Sequence, residues 1–140
     1  MKAVICGTGS AVPTKVLDND DLSQIVDTSD EWIRERTGIV RRHIAKEETC
    51  VSLAVEAAQK ALKQSGVSAA EIDLVIVSTI SSNVVLPGVA CEVQKKIGAV
   101  NAVCYDLSAA CTGFVLAYQN AQAYLQTGIY RSALIIGSEC

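Results

Sequence analysis

The sequence predicts an α/β fold built on a mostly parallel sheet, and three observations lead there. Apolar, β-branched runs in "IDLVIVSTI", "AVCYDL" and "SALIIG" alternate with segments of helical period, and short turns separate them. The runs show no apolar/polar alternation, as expected of strands covered on both faces. Half of the 140 residues are apolar, but with one Phe and one Trp the core is left to Val, Ile, Leu and Ala.

The elements follow in order. "AVICGTGSAVP" predicts a strand entering a Gly/Pro-rich turn; its glycine spacing fits neither a dinucleotide nor a phosphate-loop fingerprint. "DNDDLSQIVDTSDEWIRERTGI" holds two helix starts, the first capped by Asp18 or Asn19 and the second by Ser29 or Asp30, ending near Gly38. This region is expected to be a decorated loop outside the sheet. "ETCVSLAVEAAQKALKQSG" gives the clearest helix, with Val51, Ala54, Ala58, Ala61 and Leu62 on its apolar face and Gly66 as its cap. "IDLVIVSTI" is then a strand, "PGVACEVQKKIG" a helix opened after Pro87 and closed by Gly98, and "AVCYDL" a strand. "TGFVLAYQNAQAYLQTG" is a helix closed by Gly128, and "SALIIG" is a buried strand. With no repeat, low-complexity run or linker, residues 1–140 are expected to form one domain.

A net charge of −3 argues against binding nucleic acid or an anionic membrane, both of which call for excess Lys and Arg. Five basic residues nevertheless cluster at Arg34, Arg36, Arg41, Arg42 and Lys46. That pattern fits a small polyphosphorylated ligand, or a solvated face. The opening apolar run is too short and too broken by glycine for an export signal, and nothing approaches a membrane span. The expectation is a cytoplasmic protein. Its six cysteines are scattered, without a C-x-x-C pair and with His43 as the one histidine, so neither a metal site nor a disulfide framework is expected.

Three residues carry chemical interest. Cys111, in "DLSAACTGF", falls where a strand gives way to a helix, so unpaired N–H groups and the positive end of the helix dipole favour a thiolate nucleophile. Small neighbours would let a substrate approach, and the amides there can hold an oxyanion during acyl transfer. The same cysteine among alanines also reads as core packing. Trp32 beside Arg34 and Arg36 either stacks on a purine whose phosphates meet the guanidinium groups, or pins its helix to the sheet. His43 reads as structural, on a strand or loop.

Three segments, "GTGSAVPTKVLDNDDL", "VDTSDEWIRERTGIVRRHIA" and "DLSAACTGF", together resemble the β-ketoacyl-acyl carrier protein synthase III family of thiolase-like condensing enzymes, along essentially all 140 residues. The resemblance implies that Cys111 accepts a short acyl group from acyl-CoA as a thioester, before condensation with malonyl-acyl carrier protein initiates fatty-acid synthesis. It implies CoA contacts at Thr28, Trp32 and Arg36, a place for Leu86 at a homodimer interface near the partner's acyl pocket, and no cofactor or metal beyond acyl-CoA as substrate. The family's catalytic histidine and asparagine have no counterpart here. Because the sequence also stops just after a buried strand, residues 1–140 are expected to be the amino-terminal half-domain of the layered thiolase-like fold. Two rival readings are another condensing enzyme of the superfamily and a truncated, noncatalytic interaction module.

Overall fold

The computed structural model describes residues 3–140. They form two compact units, one of residues 3–11 and 49–140, the other of residues 12–48.

The larger unit holds a parallel sheet of order β4-β3-β5, with β3 at Leu74–Ser78, β4 at Val103–Leu107 and β5 at Ala133–Gly137. Helix α3 (Cys50–Ser65) precedes β3, α4 (Val89–Ile97) joins β3 to β4, and α5 (Gly113–Thr127) joins β4 to β5. The β3-to-β4 and β4-to-β5 connections run in opposite directions across the sheet. Right-handed crossovers therefore place α4 and α5 on opposite faces. On one face Val75, Val77, Leu134 and Ile136 pack with Ala54, Ala58, Val89, Ala90 and Val93. On the other, Leu74 and Ile76 pack with Ala117 and Ala121. Every residue of β3 is buried, which explains its unbroken apolar run. Each of its large side chains adds about 1.5–3 kcal/mol relative to exposure. β5 is an edge strand, with Leu134 and Ile136 buried and its other residues partly or fully open.

Helix limits follow their caps. Thr49 accepts the N–H of Ser52 at the start of α3, and α3, α4 and α5 end at Gly66, Gly98 and Gly128, each in the left-handed conformation that glycine tolerates.

One expectation fails at the start. Residues 3–13 form no strand, and Val4 and Ile5 are 78% and 68% exposed. The segment lies along α3 instead, with the N–H and hydroxyl of Thr8 donating to Gln64 Oε1 and Lys60 Nζ donating to the Ser10 carbonyl at 2.9 Å. Gly9 allows that approach, since a Cβ there would lie 2.1 Å from the Ala57 carbonyl oxygen.

The smaller unit contains α1 (Asn19–Ser23), α2 (Asp30–Thr37) and an antiparallel pair, β1 (Lys15–Asp18) and β2 (Arg41–Ile44). Asp18 and Asp21 form a reciprocal capping box on α1, Ser29 caps α2, and Gly38 ends it. The two helices of residues 18–39 thus form outside the parallel sheet as expected, between the strands of a small antiparallel pair. Its strands were obscured because four-residue, charge-rich segments such as "RRHI" lack a readable alternation.

Candidate active site

The larger unit gathers its loops where the parallel strands end, at Ser78, Leu107 and Gly137 in register. Helix N-termini open at that edge, the usual place for ligands in such sheets. After β4 the chain makes a 3-10 turn, Ala110–Thr112, and enters α5 at Gly113. Cys111 lies in this turn and is exposed. The core-packing reading of Cys111 is therefore not what the fold displays.

The turn is tightly specified. Ala110 has φ 46°, a left-handed conformation that costs a non-glycine residue about 1–2 kcal/mol. Thr112 donates both its N–H, at 3.2 Å, and its hydroxyl, at 2.9 Å, to the Ala109 carbonyl. The Gly113 N–H donates to the Ala110 carbonyl. These two amides hold the turn, so the oxyanion role expected of the local N–H groups does not fall to them. Gly113 is required sterically, because a Cβ would lie 1.9 Å from Ser78 Oγ.

Two acidic residues support this edge. The Asp106 carboxylate accepts the N–H groups of Val89 at 2.8 Å and Ala90 at 2.7 Å, capping α4 from β4 because Gly88 brings no side chain. The Glu139 carboxylate accepts the N–H groups of Ile80 and Ser81, both at 3.1 Å, and the hydroxyls of Thr79 and Ser81. It thereby anchors the loop that carries Leu86, which is 87% exposed beside Val85. Sequence reasoning missed both roles, since the partners lie 16 to 60 residues away. The one local signal was a helix start at Gly88 without a capping side chain.

In the smaller unit, Thr28 and Trp32 line an open cleft of about 660 Å³ with Leu22, Val26, Asp27, Ser29 and Ile33. Trp32 is 53% exposed, and the Arg36 guanidinium lies 4.5 Å from its ring centroid, a cation–π contact of about 0.5–1 kcal/mol at an exposed site. Thr28, Trp32 and Arg36 thus meet around one indole. Not all of the basic cluster is available. Arg34 pairs with Asp30 at 2.6 Å, and Arg42 donates to the Leu17 and Asp18 carbonyls and to Asn19 Oδ1. Buried Asn19 in turn donates to Asp30 Oδ1 at 2.7 Å and the Ile39 carbonyl at 2.8 Å. Arg34, and then Asn19, hold the Asp30 carboxyl below its usual range. His43 is structural, its Nδ1–H donating to the Pro13 carbonyl at 2.6 Å. Glu48 joins the two ends of the unit, accepting from the N–H groups of Lys46 and Thr14, each at 3.0 Å.

Cys111 and Leu86 belong to the larger unit, and Thr28, Trp32 and Arg36 to the smaller. Among the described residues no cluster of three or more His, Cys, Asp or Glu could hold a metal ion, and no helix is long and apolar enough to cross a membrane.

A family model for 3-oxoacyl-[acyl-carrier-protein (ACP)] synthase III matches residues 105–140, the stretch that includes Asp106, Cys111 and Glu139. The chain is also 52% identical over 135 residues to a β-ketoacyl-[acyl-carrier-protein] synthase III of Clostridium acetobutylicum, covering 96% of this chain and 42% of that relative. It is a homologue of the β-ketoacyl-acyl carrier protein synthase III family. The crystal structure of the synthase III from Aquifex aeolicus superposes with TM-score 0.94 at 45% identity, over 96% of this chain and 44% of that one. The priming β-ketosynthase of the R1128 polyketide biosynthetic pathway also superposes at 0.94, with 39% identity over 96% of this chain and 41% of that one. The fold is therefore part of the thiolase-like synthase III fold, and the chain spans 42% of the length of the curated relative it matches.

Proposed function

We propose that residues 1–140 are the amino-terminal half-domain of a β-ketoacyl-acyl carrier protein synthase III, and that Cys111 is its acyl-accepting nucleophile. The observation that carries this reading is the exposed Cys111 in a specified turn at the carboxyl edge of a parallel sheet, directly before α5. In the proposed step the Cys111 sulfur attacks the carbonyl carbon of an acyl-CoA thioester. The tetrahedral adduct collapses with loss of the CoA thiolate, leaving the acyl group on Cys111. Thr28, Trp32 and Arg36 bind the CoA, the indole stacking on adenine through the face that Arg36 leaves open and Arg36 meeting phosphate.

In the complete protein, malonyl-acyl carrier protein is then decarboxylated and condensed with the acyl group, using a histidine and an asparagine outside these residues. The complete protein is a cytoplasmic homodimer with Leu86 at the interface, and acyl-CoA enters as substrate with no further cofactor. The deciding experiment is intact mass before and after incubation with acetyl-CoA, followed by peptide mapping. The expected result is one acetyl group on Cys111, absent in Cys111→Ala. Acetylation elsewhere, or undiminished in the variant, would overturn the assignment.

The likeness to a priming β-ketosynthase of polyketide synthesis favours a second reading, a condensing enzyme that loads a different starter. A panel of acyl-CoA donors separates the two. The first reading predicts loading of short acyl groups, whereas preference for a longer or branched donor supports the second.

A further inference from the structure

Cys91 and Cys104 form a sulfur pair outside the site described above. Cys91 lies in the first turn of α4 and Cys104 on β4, and their Sγ atoms are 3.5 Å apart. The Cys104 thiol donates toward Cys91 Sγ and also lies 3.4 Å from Gln94 Oε1, leaving the Cys91 sulfur as the acceptor. Both thiols are free and half-buried, so a small oxidant can reach them. The backbone that carries them is clamped. Asp106, two residues after Cys104, accepts the N–H groups of Val89 and Ala90, the two residues before Cys91.

A disulfide bond is roughly 2 Å long, so the sulfurs must close about 1.5 Å, a movement on the scale of side-chain rotation. Cys50 contrasts with them, its sulfur facing the hydroxyls of Thr79 and Ser81 and the Ser138 carbonyl.

We propose that Cys91 and Cys104 are a redox pair, which a peroxide converts to a reversible disulfide joining α4 to the strand that leads into the Cys111 turn. The Cys91 sulfur attacks one peroxide oxygen, the O–O bond breaks, and the Cys91 thiol proton passes to the departing hydroxide, leaving a sulfenic acid and one water. The Cys104 sulfur then attacks the Cys91 sulfur, the S–S bond forms, and the departing hydroxyl leaves with the Cys104 proton as water. Two thiols lose two electrons and two protons, and hydrogen peroxide is reduced to two waters. Burial, and then the hydrogen bond to Cys91, push the Cys104 thiol up to about 11, which suits Cys104 to the second step rather than the first.

The test treats the purified protein with equimolar hydrogen peroxide, alkylates remaining thiols with N-ethylmaleimide, and maps the unreduced peptides. The expected product has lost the mass of two hydrogens, contains a linked peptide joining Cys91 to Cys104, and returns to the dithiol with dithiothreitol. In Cys91→Ala the linked peptide disappears. In Cys104→Ala, Cys91 is instead trapped by dimedone as its sulfenic acid. Full alkylation of Cys91 and Cys104 while other cysteines oxidise, or linkage of either to a different cysteine, overturns the proposal. The map of the unmodified sequence decides this even where a variant fails to fold.

Discussion

Gly113 opens α5 against the buried Ser78 side chain, leaving no space for a methyl group. Gly113→Ala is expected to lower stability by about 1–3 kcal/mol through overpacking, read as a shift in the urea midpoint. Ser78→Gly in the same chain should recover part of that loss, because the clash is with the serine hydroxyl. Asn19 is the corresponding residue of the smaller unit. Its side chain satisfies Asp30, the Ile39 carbonyl and Arg42 while almost wholly buried. Asn19→Ala strands those partners and is expected to cost about 1–3 kcal/mol. Trp32, the only tryptophan, lies in the same unit, so its fluorescence should report the loss directly. Neither role was legible: the sequence offers Asn19 as a candidate cap, a place that Asp18 takes, and Gly113 as a small neighbour of Cys111, while the partners of both lie far along the chain.

Helix α4 depends on a carboxylate from another element. Asp106→Ala is expected to lower stability by about 1 kcal/mol, the usual worth of a helix cap, and to speed hydrogen exchange at Val89 and Ala90. Unchanged exchange there would show that the cap is dispensable. The segment 12–48 has a pH dependence of its own. The N–H groups of Lys46, then Thr14, then Glu48 itself hold the Glu48 carboxyl down to about 2, against an ordinary value of 4.5. A carboxyl with a depressed folded-state pKa stabilises above its unfolded value and loses that contribution as pH falls through its folded value. Opening of this unit, followed by Trp32 fluorescence, should therefore increase between pH 4.5 and about 2, and Glu48→Gln should flatten that dependence. Among the elements, helices were the most legible because period and caps are local signals. The β1–β2 pair was not, since its evidence is pairing between residues such as Leu17 and Arg42, distant in sequence.

Across the larger unit, besides Val4, Ile5, Val100 and Ile129, exposed apolar residues run together in the loop after β3 and at the start of α5. Val84, Val85 and Leu86 stand open in the first, and Phe114 and Val115 in the second. Apolar surface of this kind favours association. Sedimentation is expected to show concentration-dependent self-association, weakened by Leu86→Ser; a monomer at all concentrations would count against the proposed interface.

The order of helices and strands from α3 to β5, the glycine stops and the parallel sheet were all determined by sequence alone, because apolar period and capping chemistry act within a few residues. Cys111, Thr28, Trp32, Arg36 and Leu86 were singled out with the help of specific motifs. Tertiary structure decided the rest. It left "AVIC" without strand pairing, drew Arg34 and Arg42 into internal contacts, and set Asp106 and Glu139 as clamps on the carboxyl edge. Those outcomes depend on which backbone N–H or carboxylate arrives from a distant segment, and no local pattern carries that information.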